Sequence, residues 1–256
     1  MSLTAGIDIG SITAKAAILR EDELLGTRVI FTGYNAEAAG RRVFEELLAE
    51  LGLSPAAVIR IVATGYGRKS MTMADRAVTE IMCHAAGARY IDPSIRSLID
   101  IGGQDSKAVV MDENGRVTNF TMNDKCAAGT GRFLEVMARA LEADLDEFGA
   151  LSLRAERPAK ISSLCTVFAE SEVISLIAKG ETRENIIAGI HEAIASRVSA
   201  MANRIGLIAP ILMTGGVARN IGVVRALEKV IGMPVSVSPR AQVAGAIGAA
   251  CLARES

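Results

Sequence analysis

Tryptophan is absent from this 256-residue chain, and aromatic residues make up only 4% of it. So few rings argue against a base-stacking platform for single-stranded nucleic acid. Neither charge sign is in excess: 28 Lys and Arg face 29 Asp and Glu, a formal net charge of -1. That balance argues against nucleic acid or an anionic membrane surface as the main partner. Mean hydropathy is +0.32, yet no apolar run approaches the ~20 residues of a membrane-spanning helix. The opening stretch MSLTAGIDIGS shows no basic segment followed by an apolar one, so the expectation is no secretory signal and a cytoplasmic location. In that setting the four cysteines are expected as reduced thiols or metal ligands, not structural disulfides. No CxxC pair and no GxxxxGK[ST] loop occurs, which excludes a Walker-type phosphate site.

Half of the residues are hydrophobic and 22% are charged, the balance of a chain with a packed core. At ~150 residues per domain the length suggests about two domains. Buried strands are expected over Leu3–Ile9, Ala14–Leu19 and Thr27–Phe31, then a helix over Ala36–Leu51 stopped by Gly52. Ser54-Pro55 opens a short turn before a strand at Val58–Ala63, and a helix over Val78–Tyr90 ends near Asp92-Pro93. The order then restarts, with strands at Ser97–Ile101, Lys107–Met111 and Arg116–Thr121, the last two joined by a hairpin at Glu113-Asn114-Gly115. Helices are expected from Cys126 to Glu142, Leu145 to Leu153, Cys165 to Lys179 and Arg183 to Ile205, with a strand at Ala159–Ser162 between them. Strand Ile211–Thr214, helix Ala218–Ile231, strand Val235–Val237 and helix Ala241–Arg254 close the chain. Three strands, a helix, a strand and a helix thus occur twice, the second time with a helical insertion. Such an internal duplication outranks any local assignment. It implies an α/β fold of two lobes, residues 1–92 and 93–240, with a cleft between them and the helix over 241–254 returning to the first lobe.

Each copy opens with a strand, then Asp-x-Gly, then a tight turn into a second strand. Glycine lets backbone N–H groups approach phosphate oxygens, and the aspartate offers a carboxylate to hydrated magnesium. In the first copy Asp8 and Gly10 are followed by Ser11, Ile12, Thr13, Ala14 and Lys15. In the second, Asp100, Gly102, Gly103 and Gln104 face the same gap. A third pair, Gly215-Gly216, follows a buried strand and suits close backbone approach to an adenosine. Any one of these is an ordinary strand-ending turn; three at matched places in a duplicated chain are much harder to explain so. The arrangement resembles the actin, Hsp70 and sugar kinase superfamily, with a phosphate-1 loop at Asp8–Lys15, a phosphate-2 loop at Asp100–Lys107 and an adenosine loop at Thr214–Asn220. The resemblance implies ATP or ADP with Mg2+ between the lobes.

Cys126 and Cys165 each stand before an expected helix, where the helix dipole favours a thiolate. Two thiolates fall short of the four that a cubane iron–sulfur cluster requires, and a twofold dimer supplies four. On spacing alone, small buried residues remain the simpler account; Cys83 and Cys251, in apolar helical segments, are read that way. The words around the cysteines change the balance. Asp100-Ile101-Gly102-Gly103-Gln104-Asp105, the run Met122 to Leu134 around Cys126, the run Ser163 to Ile174 around Cys165, and Met213-Thr214-Gly215-Gly216-Val217-Ala218 are together similar to one family. It is that of the ATP-dependent activators (component A) of 2-hydroxyacyl-CoA dehydratases, kin of the ATPase subunits of benzoyl-CoA reductase. The resemblance implies a homodimer with one [4Fe-4S] cluster held by Cys126 and Cys165 of both subunits. It implies ATP-driven transfer of one low-potential electron to a dehydratase, with ferredoxin or flavodoxin as donor. Ile12 departs from the family, where many members have a small hydroxyl residue, and this puts one phosphate contact in doubt.

Gln104 is expected to orient the attacking water or sense the γ-phosphate, since an amide positions better than it abstracts protons. Asp105 and Lys107 either pair with each other or line the phosphates. Asp146 and Gln242 are candidates for ribose and adenine contacts, with a surface acid and a helix-start residue as equal alternatives. His84 and His191 are read as satisfied or exposed helix residues, Arg41, Arg42 and Arg139 as solvated faces. Three rival functions differ in what they require. A small-molecule kinase of the same fold needs a catalytic aspartate in a substrate pocket and no iron. A nucleotide-gated scaffold needs no particular cysteine. A benzoyl-CoA reductase ATPase subunit normally uses two related chains.

Overall fold

Strand order is the same in the two halves of the computed structural model, which describes residues 2–162 and 165–254. In the first half β1 (Leu3–Ile9), β2 (Thr13–Arg20), β3 (Glu23–Phe31), β4 (Val58–Thr64) and β5 (Arg76–Ala77) form a sheet ordered β3-β2-β1-β4-β5. In the second, β6 (Ser97–Ile101), β7 (Ser106–Met111), β8 (Val117–Asn123), β9 (Ile211–Thr214) and β10 (Val235–Val237) are ordered β8-β7-β6-β9-β10. β1 pairs antiparallel with β2 and parallel with β4, and β6 repeats this with β7 and β9. Strands β1, β6 and β7 are buried along their whole length, so both faces of these inner strands read as apolar sequence.

Helix α1 (Ala36–Leu51) starts where the Asn35 side chain accepts from the Ala38 N–H, and stops at the left-handed Gly52. Its Val43, Phe44, Leu47 and Leu48 stripe joins Ile7, Ile9, Ala16 and Ile18 in the core of the first lobe. In the second lobe α3 (Gly131–Ala140), α4 (Phe148–Ser152), α5 (Thr166–Ala178), α6 (Arg183–Ala202) and α7 (Ile221–Ile231) contribute to one large core with Ile99, Ile101, Ile211 and Met213. Two helices lie between the sheets. Helix α2 (Glu80–Ile91) places Ile81, Ala85 and Ala88 against Leu98, Val109 and Leu212 of the second sheet. Helix α8 (Ala244–Arg254) packs Ala246, Ile247 and Ala250 against Ala17 and Leu19 of the first.

Four expectations need correction. The helix after Cys126 begins five residues later, at Gly131, because Gly129 takes φ +83 and Thr130 is the extended cap. Among the described residues, 159–162 pair with no strand; the Ala159 N–H instead donates to the Asn185 carbonyl of α6 at 2.8 Å and Ser162 to the Glu172 carboxylate of α5. β3 begins at Glu23, not Thr27, and the two-residue β5 was not anticipated. The long helix ends at Ala202, and short 3-10 turns precede α7 and α8. Part of the motif around Cys165, namely Ser163 and Leu164, lies outside the described residues.

At the α2/α8 crossing a Cβ on Gly248 would run into the Cys83 carbonyl and the Gly87 N–H, both backbone. Alanine gains about 1 kcal/mol of helix propensity over glycine. Overpacking against backbone costs about 1–3 kcal/mol or more. Gly248→Ala is therefore expected to lower the urea midpoint despite the better helix former; an unchanged or raised midpoint would show that the crossing has slack.

Candidate functional site

The two strand-ending loops are built alike. Gly10 N–H donates to the Thr13 carbonyl at 3.0 Å, and Gly102 N–H to the Asp105 carbonyl at 2.9 Å. Asp8 lies opposite Lys15 across β1 and β2, and Asp100 opposite Lys107 across β6 and β7. Each pair is ionic, at 3.3 Å in the first loop and 2.9 Å in the second. The surroundings differ. Lys15 keeps 13% of its side chain exposed and has Asp8 as its ion-pair partner. Lys107 is 2% exposed and also meets Asp105 at 3.0 Å and Glu80 at 3.0 Å. The pairing of Asp105 with Lys107 is thus the one the structure shows, and Lys15 is the more exposed of the two lysines.

Asp100 is fully engaged. Its Oδ2 accepts from Lys107, and its Oδ1 accepts from Thr214 Oγ1 at 2.8 Å and faces His84 Nδ1 at 3.1 Å. Burial alone would raise its pKa, but His84 and Lys107 together hold it well below the usual carboxylate value. For Lys107, burial pulls down while Asp100, Asp105 and Glu80 pull up, and the net is well above the ordinary lysine value. Glu80 is raised, chiefly by burial. Asp100 therefore organises the second loop, with donors on both of its oxygens. Asp8, with one ion pair, has acceptor capacity left and fits a hydrated Mg2+ better.

The loops touch across the gap: a Cβ on Gly103 would lie 2.6 Å from Ile12 Cδ1. Ile12 thus occupies the space that the missing Gly103 side chain leaves. Ser11, Ile12 and Thr13 are half-buried at the gap, whereas the Ala14 side chain is buried in the first core and leaves only backbone for a ligand. Gln104 is exposed, and among the described residues no side-chain hydrogen bond ties it to its own turn.

Gly215 has φ +87, and a Cβ there would press on the Ile101 carbonyl and Asp100 Oδ1, so the adenosine loop is drawn against the second phosphate loop. Its N–H donates to the Ala241 carbonyl at 3.1 Å, which places the turn holding Gln242 beside it. Asp146 is exposed in the turn before α4, and α4 packs through Gly149 on Asn220 at the far end of the same loop. A Cβ on Gly216, in contrast, would meet nothing within 4 Å.

The second loop continues into the cysteine region. Gly131 N–H donates to the Gly102 carbonyl at 2.9 Å and Arg132 N–H to the Gly103 carbonyl at 2.8 Å. These are orphan donors of the first turn of α3, and the phosphate-2 loop satisfies them. Cys126 precedes that turn, clamped by Asn123, whose amide nitrogen donates to the Cys126 carbonyl at 2.8 Å and whose oxygen accepts the Cys126 N–H at 3.3 Å. Cys165 is the exposed cap of α5, with no hydrogen bond to the helix from its side chain. The helix-dipole argument therefore applies to Cys165 and not to Cys126. Cys83 is buried, and burial pushes its thiol up to about 12, unfit for a thiolate ligand. Cys251 is half-buried beside the Ala17–Ile247 cluster. Among the described residues no group of three or more His, Cys, Asp or Glu side chains within one chain is placed to hold a metal.

His84 and Glu80 were not assigned to the site from sequence. Their signal is two polar residues four apart on the helix face that also carries Ile81, Ala85 and Ala88. His191 is buried and pushed down to about 3 by that burial, its Nε2 3.3 Å from the Asn220 amide.

If nucleotide backbone approaches Gly216, an added side chain will block it without disturbing the fold. Gly216→Val is expected to keep the wild-type melting temperature and to weaken ADP binding by about tenfold or more, a loss of roughly 1.4 kcal/mol. Calorimetry with unchanged ADP affinity would remove the adenosine assignment from this loop.

No helix among the described residues is long and apolar enough to cross a membrane. The chain is 48% identical over 253 residues to the activator of lactoyl-CoA dehydratase from Anaerotignum propionicum, covering 98% of this chain and 97% of that one. Its structure superposes with a TM-score of 0.96 on component A of (R)-2-hydroxyglutaryl-CoA dehydratase from Acidaminococcus fermentans, at 45% identity, covering 100% of this chain and 98% of that one. The activator of the 2-hydroxyisocaproyl-CoA dehydratase from Clostridium difficile, with bound ADPNP, gives 0.94 at 45% identity, covering 99% and 94%. A ROK family glucokinase from Streptomyces griseus, 15% identical with a TM-score of 0.61, shares the fold alone. The two-lobe α/β fold is thus that of the actin, Hsp70 and sugar kinase group. The model of the BadF/BadG/BcrA/BcrD ATPase family matches residues 5–253, and the chain belongs to that family.

Proposed function

We propose that this protein is an ATP-hydrolysing activator that passes one low-potential electron from a [4Fe-4S] cluster to a 2-hydroxyacyl-CoA dehydratase. The observation that carries the reading is the pair of backbone hydrogen bonds from Gly131 and Arg132 to Gly102 and Gly103. The segment that senses phosphate and the segment that holds Cys126 meet there without an intervening residue. A shift of the phosphate-2 loop moves the start of α3, and with it the Asn123-clamped cysteine. The relatives named as dehydratase activators favour this reading over a sugar kinase, whose likeness is one of fold.

ATP or ADP would lie between the lobes, in contact with residues 11–15, 102–104 and 215–216, with Asp8 holding the hydrated Mg2+. Lys15 supplies a cation to the phosphates, and Gln104 orients the attacking water. Asp146 and Gln242 flank the nucleoside end. The two lobes are residues 1–92 with α8, and 93–240; the apolar face of α2 packs on the second sheet and that of α8 on the first, so in opening and closing α2 travels with the second lobe and the hinge is the α2/α8 crossing. The donor set fits a shared cluster: Cys126 and Cys165 are the two accessible thiols of the second lobe, and a second copy of the chain would supply the other pair. When bound, the cluster supplies the one-electron chemistry that no side chain here provides. The exposed Val167, Phe168, Ile174 and Ile177 on the Cys165 helix fit the surface of a homodimer and of the dehydratase. A cytoplasmic location and ferredoxin or flavodoxin as donor complete the proposal.

Protein purified without oxygen should hold about four irons per dimer. Cys126→Ala and Cys165→Ala should lose the iron, whereas Cys83→Ala and Cys251→Ala should keep it; full iron in Cys126→Ala would overturn the ligand assignment. Gln104→Ala should assemble the cluster and bind ADP, yet hydrolyse ATP slower by a factor of ~10²–10⁴, the ordinary contribution of a positioned catalytic group. Its activation of a dehydratase should fall in step, and wild-type activation under strict anaerobiosis would reduce Gln104 to a loop residue.

A further inference from the structure

His84 and Glu80 lie outside the nucleotide loops, yet each is tied to one member of the buried pair that organises the second loop. Glu80 Oε2 is 3.0 Å from Lys107 Nζ, and His84 Nδ1 is 3.1 Å from Asp100 Oδ1. Residues four apart share a helix face, so one side of the first turns of α2 reads both charges. The opposite edge of the imidazole faces the other lobe. A Cβ built on Gly245, in the first turn of α8, would lie 2.8 Å from His84 Nε2 and 3.0 Å from Asp8 Oδ2. One ring therefore has the phosphate-2 aspartate on its Nδ1 side and the phosphate-1 aspartate near its Nε2 side. The missing Gly245 side chain leaves the space for this.

We propose that His84 is a positioning residue of the nucleotide site, bridging the Asp100 carboxylate of the second lobe and the Asp8 carboxylate of the first, and so linking phosphate-loop state to lobe closure. The inference rests on the ATP-binding reading above and adds the route by which the two loops act together. Nδ1 donates to Asp100, because a carboxylate only accepts, and this leaves Nε2 toward Asp8. Burial alone would lower the His84 pKa, but the neighbouring Asp100, helped by Asp8, turns the net shift upward. The two nitrogens of the ring thus face the two carboxylates. When the lobes part, Asp8 recedes from the ring while the Asp100 and Lys107 contacts stay within the second lobe and α2. The bridge therefore stabilises the closed arrangement selectively, which is what a residue must do to shift a two-state equilibrium. Thr214 Oγ1, 3.4 Å from His84 Nδ1, extends the same contact to the adenosine loop.

The test is the ratio of ADPNP to ADP affinity, measured by calorimetry with Mg2+ on the intact protein. In wild type the two nucleotides should differ in affinity. In His84→Ala the ratio should change by at least about fivefold, the lower end of ordinary coupling between sites, while ADP affinity stays within about threefold, well below one tenfold step. His84→Gln, which keeps a donor for Asp100, should lie between wild type and His84→Ala. Gly245→Ala provides a second route, since it retains His84 and wedges a methyl group between the ring and Asp8 Oδ2; it should shift the ratio in the same direction. A residue that merely filled space would lower the melting temperature and leave the ratio alone. An unchanged ratio in both His84→Ala and Gly245→Ala, with normal ADP binding, would overturn the bridge and leave the ATPase reading intact. Wild-type protein that binds neither nucleotide would overturn both.

Discussion

Burying a lysine ammonium costs several kcal/mol unless opposite charge and hydrogen bonds surround it. Lys107 meets that requirement with Asp100, Asp105 and Glu80, all within 3.0 Å. Each partner comes from a different piece of chain. Asp100 lies in β6 just before its last residue, Ile101, Asp105 belongs to the turn that follows, and Glu80 opens α2. Satisfying one cation therefore fixes the shape of the phosphate-2 loop and the seat of the helix between the lobes. The remaining oxygen of Asp100 binds Thr214 and His84, which brings the adenosine loop and the same helix into one network. Removing Lys107 would leave the buried Asp100 carboxylate without its cation, and removing Asp100 would take from Lys107 its most buried partner, which is why such a cluster holds one geometry.

From this centre the chain makes two connections of different kinds. One runs outward through backbone, from the Gly102 and Gly103 carbonyls into the first turn of α3 and back to Cys126. Main-chain hydrogen bonds to a helix terminus transmit displacement with little play, because the helix behind them is rigid over its length. The other runs inward through side chains, from Asp100 across His84 toward Asp8. The first would suit a signal to the proposed cluster and the second the proposed sensing of closure. Placing both on one loop is an economical way to let phosphate state reach both.

The duplicated loops show how one plan serves two tasks. Both have a glycine-closed turn and an Asp–Lys pair at the same strand register. In the first loop the lysine is partly exposed beside a single carboxylate, the condition of a group able to bind phosphate. In the second the lysine is locked among three, and the exposed residue is Gln104. Burial separates a partly exposed Asp–Lys pair from a buried one, though the local sequences look interchangeable. Ile12 against Gly103 shows the loops already in contact across the gap, so a bulky residue at a phosphate turn is accommodated by the missing side chain opposite.

Hydrophobic period and glycine placement were enough to read two α/β lobes, nearly all of the strands and the three glycine loops, because β-strands and tight turns are specified by residues near one another in sequence. The start of α3 was misread because the left-handed Gly129 and the Asn123 clamp are local in structure but carry no periodic signal. Residues 159–162 were misread as a strand because extended sequence does not say whether its partner is a sheet or, as here, the side of α6. Asp8, Asp100 and Gln104 could be picked out where they stand, beside glycines. His84 and Glu80 could not, since on α2 they resemble any two polar residues of a helix, and their partners are from 16 to 130 residues away in the chain. The sequence by itself determined the duplication, the loops and the cysteine-bearing words. Tertiary structure alone decided which lysine is buried, which carboxylates surround it, and which helix histidine meets Asp100, because desolvation and charge pairing depend on the atoms that surround a group, not on its neighbours along the chain.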